Sequence, residues 1–304
     1  MNVPSVFREL NSLAQGRVRI GEPMRKHTSW RIGGPAELFV EPGDSGELER
    51  IIAFANNNEI PMVVIGAGSN LLVSDAGING IVVKLGRLMS GVSCCGNEII
   101  TEAGARLADV AMAAKNAGLG GFEFAAGIPG TIGGAVVMNA GANGTNIGCL
   151  VKEVLLLDRA GNTFIKSKED MKFGYRKSIL QCIPDVAVAV TFICNQKDRT
   201  SIQTETDKHF SARKRSQPLG YPNAGSVFRN PPGDSAGRMI DVAGFKGYKV
   251  GDAQVSTIHA NFIINLGNAT AEDVMALITQ IKTEVFSRFG VVLQPEIKFL
   301  GFIE

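Results

Sequence analysis

Between residues 44 and 58 the apolar positions recur at helical spacing. Leu48, Ile51, Ile52 and Ala55 fall on one face, and Asp44 and Glu47 have the spacing of a capping box. The same signature closes the chain's last long polar–apolar pattern. Thr270 and Asp273 open it; Val274, Leu277, Ile278, Ile281 and Val285 make its stripe; Gly290 ends it. A third helix is predicted over 105–117, with Leu107, Val110, Ala111 and Ala114 on one face and Gly118 as a left-handed stop. Short apolar runs read as strands: "PMVVI" (61–65), "GIVVKL" (80–85), "NEIITEAGA" (97–105), "EVLLLD" (153–158), "NTFIKS" (162–167) and "VAVAVTFI" (186–193). The tail "VVLQPEIKFLGFIE" reads as a strand, a turn at Gln294-Pro295 and a second strand. Residues 118–148 form a long glycine-rich stretch. The polar stretch "CNQKDRTS" (194–201) marks a domain boundary, with a helix after it. Helices and strands in this order predict an α+β protein.

Composition adds bounds. The chain has 304 residues, 45% hydrophobic and 20% charged, with a net charge of +2. That suits a soluble globular protein of two or three domains and gives no reason to expect nucleic acid as partner. The basic run "ARKRSQ" (212–217) reads by default as a solvated helix end. Five cysteines, an odd number without a CxxC pair, and three histidines without zinc spacing argue for a reducing cytoplasm and no structural metal. The start "MNVPSVFRELNSLAQG" lacks the pattern of a signal peptide, and no apolar run approaches a membrane span. The 36 glycines are clustered, which points to loops where backbone approaches something closely.

Two of those clusters carry candidate chemistry. In "VVIGAGSNLLVSD" (63–75) a strand runs into Gly66-Ala67-Gly68-Ser69-Asn70. A Rossmann fingerprint needs a third glycine and a following helix; here Leu71 and Leu72 begin a strand-like, turn-rich segment. The loop is either a tight β-turn or a nest of N–H groups for an anion. In "AAGIPGTIGGAVVMNAGANG" (125–144), six of twenty residues are glycine, a density that costs much folding entropy. Backbone wrapped around a phosphorylated or flat ligand accounts for it better than a plain loop. Two such loops fit a large cofactor with two phosphates.

Two serines compete for attention. "GDSAG" (233–237) matches the hydrolase pattern GxSxG at Ser235, with Asp241 and His259 following in a permissible order. Pro231 and Pro232 precede it, where that fold needs a central strand, so the match reads as accidental. "PNAGSVFRNP" (222–231) sets Ser226 among turn formers, as nucleophile, proton donor or punctuation. "FGYRKS" (173–178) and "LQPEI" (293–297) supply Arg176 and Glu296, each with an ordinary surface reading when taken alone.

Taken together and in order, "TSWRIGGPAE" (28–37), "VIGAGSNLLVSD", "AGIPGTIGGAVVMNAGANG", "YRKS", "RKRSQPLGYPNAGSVFRNP", "AQVSTIHANFIIN" (253–265) and "LQPEI" resemble the bacterial UDP-N-acetylenolpyruvoylglucosamine reductases, flavoenzymes of peptidoglycan precursor synthesis. The resemblance runs along essentially the whole chain. It implies two α+β subdomains that bind FAD in the manner of the vanillyl-alcohol-oxidase type, 1–85 and 86–199. It also implies a substrate-binding α+β domain, 200–304, whose tail from about 291 packs back toward the FAD domain. FAD and NADPH are the implied cofactors, and a small-molecule UDP-sugar is the implied partner. The expected protein is cytoplasmic, a monomer or weak oligomer, without membrane or nucleic acid.

The resemblance also implies roles. Ile65, Gly66, Ala67, Gly68, Ser69, Asn70 and Leu71 are expected at the FAD pyrophosphate, as are Ala126, Gly127, Ile128, Pro129, Gly130, Thr131, Gly133 and Gly134. Asn139, Gly141 and Ala142 are expected close by. NADPH reduces the flavin, and the hydride then passes to the methylene carbon of the enolpyruvyl ether. Ser226 gives the proton to the adjacent carbon. Arg176 suits the carboxylate and its developing charge. Glu296 assists either as a protonated acid or by holding Arg176 or a water. Tyr175, Arg213, Asn230 and Lys249 are expected at the substrate, Gln254 and Lys214 less directly, and His259 is expected to be a packed histidine. One branch of the family carries an extra tyrosine loop over the substrate. No insertion for it occurs between 176 and 200, so the chain resembles the shorter branch, with Tyr221 and Tyr248 as possible substitutes. An FAD-dependent oxidase of a small alcohol is the alternative enzyme, and a flavin- or nucleotide-binding module is the non-enzymatic one.

Overall fold

The fold is described from a computed structural model, over residues 3–302. Met1 and Asn2, in the segment read against a signal peptide, and Ile303 and Glu304, in the tail, lie outside the described residues. Four strands form one sheet in the order Val18–Pro23, Pro35–Val40, Ile78–Lys84, Met62–Ile65, and the last two run parallel. Parallel neighbours need a crossover connection, and the segment between them supplies it. The chain divides into two compact units. One joins the segment ending at Ile20, Leu38–Ala67 and Gly80–Ala212; the other joins Gly21–Glu37, Gly68–Asn79 and the segment from Arg213 onward.

The first unit carries a five-stranded antiparallel sheet: Thr163–Ser167, Val151–Leu157, Val186–Ile193, Glu98–Glu102, Val92–Cys95. Its core includes Ile99, Val154, Leu156, Val190 and Phe192, alternate positions of those strands. The helix Ser45–Asn57 forms with all four predicted apolar residues buried. Its cap is half of the predicted box. Asp44 accepts from the Glu47 N–H at 2.8 Å, but the Glu47 carboxylate turns to the Gly43 N–H and to Arg17. Burial alone would raise the Glu47 carboxyl; the hydrogen bonds from Arg17 and Gly43 carry it below the ordinary value. The helix Leu107–Asn116 stops at Gly118, φ +69°, as its sequence predicts.

The glycine-rich stretch is not one loop. A helix, Ile132–Met138, forms inside it, capped by Thr131, with Ile132, Ala135 and Val136 buried. The spacing of those three residues is helical, and their burial outweighs the two glycines between them.

The second unit is built around the helix Ala271–Phe289. Its capping box is complete, Gly290 ends it at φ +66°, and its five stripe residues are buried. A third acid adds to that helix start: the Asp75 carboxylate accepts from the Ala271 N–H at 2.8 Å and the Glu272 N–H at 3.2 Å. A small antiparallel sheet, Lys249–Val250, Ala253–Val255, Ile263–Asn265, lies in the same unit. The tail departs from its reading. No strand forms at 291–293; Pro295 makes a single bridge with Phe228, and only Lys298–Leu300 is a strand, parallel to Leu71–Val73. The turn residues around Pro295 serve instead to lay the tail beside the Ser226 loop. No described helix is long and apolar enough to cross a membrane. Among the described residues, no group of three His, Cys, Asp or Glu side chains has a metal-holding arrangement.

Candidate active site

The two glycine loops take different shapes for different reasons. After the strand Met62–Ile65 the chain turns through Gly66 and Ala67 without starting a helix, and Leu71–Val73 is a strand, which excludes a Rossmann turn. Gly66 touches the second loop: a Cβ there would lie 2.1 Å from Thr131 Oγ1. Only a residue without a side chain lets the segments 65–67 and 126–134 converge. Gly127 and Gly130 adopt φ of +73° and +143°, where an L side chain is strained. Ala67, Gly127, Pro129 and Gly134 are exposed, so this backbone can be reached from outside. Such paired, side-chain-free backbone fits a diphosphate-bearing cofactor.

Not every predicted cofactor residue is available for that task. The N–H groups of Ala126 and Ile128 donate to Glu123 and Ala125, and those of Ile132 and Gly133 to Ala105 and Ala103. Thr131 Oγ1 accepts from the Gly134 N–H. Buried Asn139 ends the helix at φ +44°, and both ends of its amide are used. Its Oδ1 accepts from Gly148 N–H at 3.0 Å and its Nδ2 donates to Gly174 C=O at 2.8 Å. Gly141 is required by a tight hairpin, for a Cβ would lie 2.4 Å from Thr145 C=O; Ala142 lies in the same hairpin.

Asn139 thereby supports the turn that presents Arg176. Gly174 and Lys177 exchange backbone hydrogen bonds at 3.0 and 3.1 Å, which leaves Tyr175 and Arg176 at the tip. Arg176 sits at φ +53°, a left-handed position unusual for a long side chain and costly to hold. Gln181 Nε2 donates to the Arg176 and Val137 carbonyls, both at 2.9 Å, and Ser178 Oγ donates to Val137 C=O at 2.8 Å. The guanidinium lies over the exposed Tyr175 ring, 5.4 Å from its centre.

Ser226 and Glu296 come together in the second unit. Glu296 N–H donates to Val227 C=O at 2.8 Å, and Arg229 N–H donates to Gln294 C=O at 2.9 Å. The Ser226 loop and the "LQPEI" segment are thus a short antiparallel pair. Asn261, buried, holds the loop from its other side: its Oδ1 accepts from Phe228 N–H, its Nδ2 donates to Phe228 C=O, and its carbonyl accepts from Val227 N–H. Upstream, the Asn223 Oδ1 accepts from Gly225 N–H at 2.9 Å, an Asx-turn that sets Gly225 at φ +79° just before Ser226. The first glycine loop reaches the same group. Asn70 Nδ2 donates to Glu296 C=O at 3.2 Å, and Asn70 C=O accepts from Lys298 N–H at 2.9 Å. Gly68–Leu71 and the Ser226–Glu296 pair therefore share one unit; Ile65–Ala67, Tyr175 and Arg176 belong to the other.

The remaining expectations resolve individually. Arg213 is half-buried in the last turn of the helix Arg199–Ser216, and Lys249 is exposed at a sheet edge. Asn230 is exposed, and its Oδ1 accepts from Ala236 N–H at 3.1 Å. Gln254 Nε2 donates to Gly247 C=O. His259 is packed against Phe262 and accepts from Asn261 N–H, and burial, then the charge of Lys246, pushes it below its ordinary value. Ser235 caps the helix Ala236–Val242, accepting from Arg238 N–H at 3.4 Å, with no strand before it. Asn139, expected near the cofactor from the resemblance alone, is a staple between the helix end and the Arg176 turn. Asn261 was not singled out from sequence: its only signal was an asparagine flanked by apolar residues, which does not distinguish a staple from a turn.

Comparisons with known proteins cover nearly all of the chain. Residues 217–300 match the family model described as UDP-N-acetylenolpyruvoylglucosamine reductase, C-terminal domain, and residues 36–165 match one described as FAD binding domain. The UDP-N-acetylenolpyruvoylglucosamine reductase of Desulforamulus reducens is 48% identical, over 98% of each chain. That of Caldanaerobacter subterraneus is 47% identical, over 95% of each. The crystal structure of the corresponding reductase from Thermus caldophilus aligns with a TM-score of 0.81 at 34% identity, over 93% of this chain and 98% of that one.

Proposed function

The chain belongs to the UDP-N-acetylenolpyruvoylglucosamine reductase family, and on that premise we propose that it reduces the enolpyruvyl ether of UDP-N-acetylglucosamine to UDP-N-acetylmuramate, with FAD and NADPH, in peptidoglycan precursor synthesis. The names of its relatives speak for this reductase and against an alcohol oxidase. The FAD, when bound, supplies the enolpyruvyl methylene carbon with a hydride that came from NADPH. Residues 65–71 and 126–134 hold its pyrophosphate through backbone, Gly66, Gly68, Gly127 and Gly130 because nothing larger fits or holds their conformation. Asn139 and Gly141 contribute by shaping this region and the Arg176 turn.

The chain's own residues then manage charge and proton. Hydride addition pushes negative charge toward the substrate carboxylate, which Arg176 offsets with its planar guanidinium. Ser226 Oγ–H passes its proton to the carbon next to the methylene, completing the lactyl ether. A hydroxyl is a weak acid, so it needs a neighbour that can hold a proton or a water, and Glu296 is that neighbour. The observation that carries this reading is the backbone pairing of Glu296 with Val227, one residue from Ser226. Arg213, Asn230, Lys249 and Tyr175 are proposed to contact the UDP-sugar. The proposed organisation is 1–85 and 86–199 for FAD and 200–304 for substrate. The protein acts on this small molecule as a monomer or weak oligomer in the cytoplasm, without nucleic acid or membrane; the near-balanced charge of +2 supports the exclusion of nucleic acid.

Anaerobic mixing tests the reading. NADPH should bleach the flavin and the enolpyruvyl substrate should restore its colour. A flavin that NADPH cannot reduce, or that the substrate cannot reoxidise, rejects it.

A further inference from the structure

We infer that Ser29 is a positioning residue for proton transfer, the tie that fixes the Ser226 loop relative to the first glycine loop. Its hydroxyl donates to the Asn223 carbonyl at 2.6 Å, and its N–H donates to the Gly68 carbonyl at 3.1 Å. One residue thus bonds both segments, all within the second unit.

Each end of this tie is stiff. Gly68 sits directly on the segment before Ser29, since a Cβ there would lie 2.0 Å from His27 C=O and 2.9 Å from Thr28 Cα. Next to Ser29, the fully buried Trp30 donates from Nε1 to Ile263 C=O at 2.8 Å, and its own carbonyl accepts from Asn265 Nδ2 at 2.9 Å. Thr28 is buried too, its hydroxyl bonded to Ile32 C=O at 2.8 Å. Ser29 therefore cannot drift with its partners. At the far end, Asn223 spends its side chain inside the loop, donating to Pro218 and Tyr221 carbonyls and accepting from Gly225 N–H. Asn223 sets the turn into Ser226, and Ser29 sets Asn223.

A proton donor displaced by about 1 Å loses roughly two orders of magnitude in rate. Removing the Ser29 hydroxyl frees the Asn223 carbonyl and lets the Asx-turn relax, while the main-chain bond from Ser29 to Gly68 stays. The loss should thus fall on substrate-driven reoxidation and spare the NADPH step. The inference rests on the proposed reductase reading, and the test separates the two.

The experiment uses the full chain with FAD, wild type, Ser29→Ala and Ser29→Thr. In Ser29→Ala, reduction by NADPH should stay within about twofold, while reoxidation by the enolpyruvyl substrate slows about 10- to 100-fold. Its solvent deuterium isotope effect should rise as proton transfer becomes limiting. In the FAD-free protein, amide exchange at Gly225 should quicken about tenfold or more. Ser29→Thr keeps the donor and should restore the reoxidation rate and the slow exchange. Equal slowing of both half-reactions, no slowing, loss of FAD, or a Thr variant as slow as the Ala variant overturns the inference. Wild-type protein that the substrate fails to reoxidise rejects the reductase reading instead, whatever exchange shows.

Discussion

Ser226 and Ser235 lie nine residues apart in one unit, and they are opposites. Ser235 has the better-known motif and almost nothing around it: it caps a seven-residue helix at its surface, with a long 3.4 Å bond. Ser226 has no catalytic motif, yet its loop is bonded on every side, by Asn223 before it, Asn261 across it, the Glu296 segment beside it and Ser29 behind it. Chemistry needs a group held in place more than it needs a recognisable string. A five-residue pattern is easily matched by chance; four hydrogen-bonded supports converging on one turn are not.

That contrast can be broken or sharpened by mutation. The largest effect is expected for Ser226→Ala, which should lower turnover about 10³-fold, within the range for a lost acid or base, while circular dichroism and FAD content stay unchanged. Asn261→Ala should follow. It strands the buried N–H and C=O of Phe228 and should cost about 3 kcal/mol, read by denaturant titration, with a slower reoxidation step as the loop loosens. Asp75→Ala removes an acceptor from two N–H groups at the start of the helix Ala271–Phe289 and should cost about 1 to 2 kcal/mol, with the rate nearly intact. Ser235→Ala should be smallest, under about 1 kcal/mol for an exposed cap, and without effect on either half-reaction.

Much of the fold was legible because burial and capping act locally. The Thr270 box, the Gly118 and Gly290 stops and the buried stripe of Ser45–Asn57 appear as their spacing predicts. The misses are places where a distant partner decides. Glu47 leaves the capping box for Arg17, thirty positions away. The helix Ile132–Met138 hides in a glycine-rich stretch, so composition masked a short apolar stripe. At 291–293 strand propensity finds no partner strand, and the tail is instead ordered through Pro295 and Glu296. The site follows the same rule. Ser226, Arg176 and Glu296 were visible only through resemblance of the whole chain to a family. Asn139 was named by the same resemblance, though not as the support of the Arg176 turn; Asn261 and Ser29 were invisible because their roles consist of bonds to residues 33 and 194 positions away.

The most direct measurement compares the two serines in single turnover. Ser226→Ala and Ser235→Ala are each reduced with NADPH without oxygen and then mixed with the enolpyruvyl substrate, with flavin absorbance followed in time. Both variants should bleach at the wild-type rate. Ser235→Ala should then recover its colour like wild type, while Ser226→Ala recovers about 10³-fold more slowly. Recovery of Ser226→Ala at the wild-type rate, or equal slowing of its two half-reactions, would contradict the assignment of Ser226 as the proton donor.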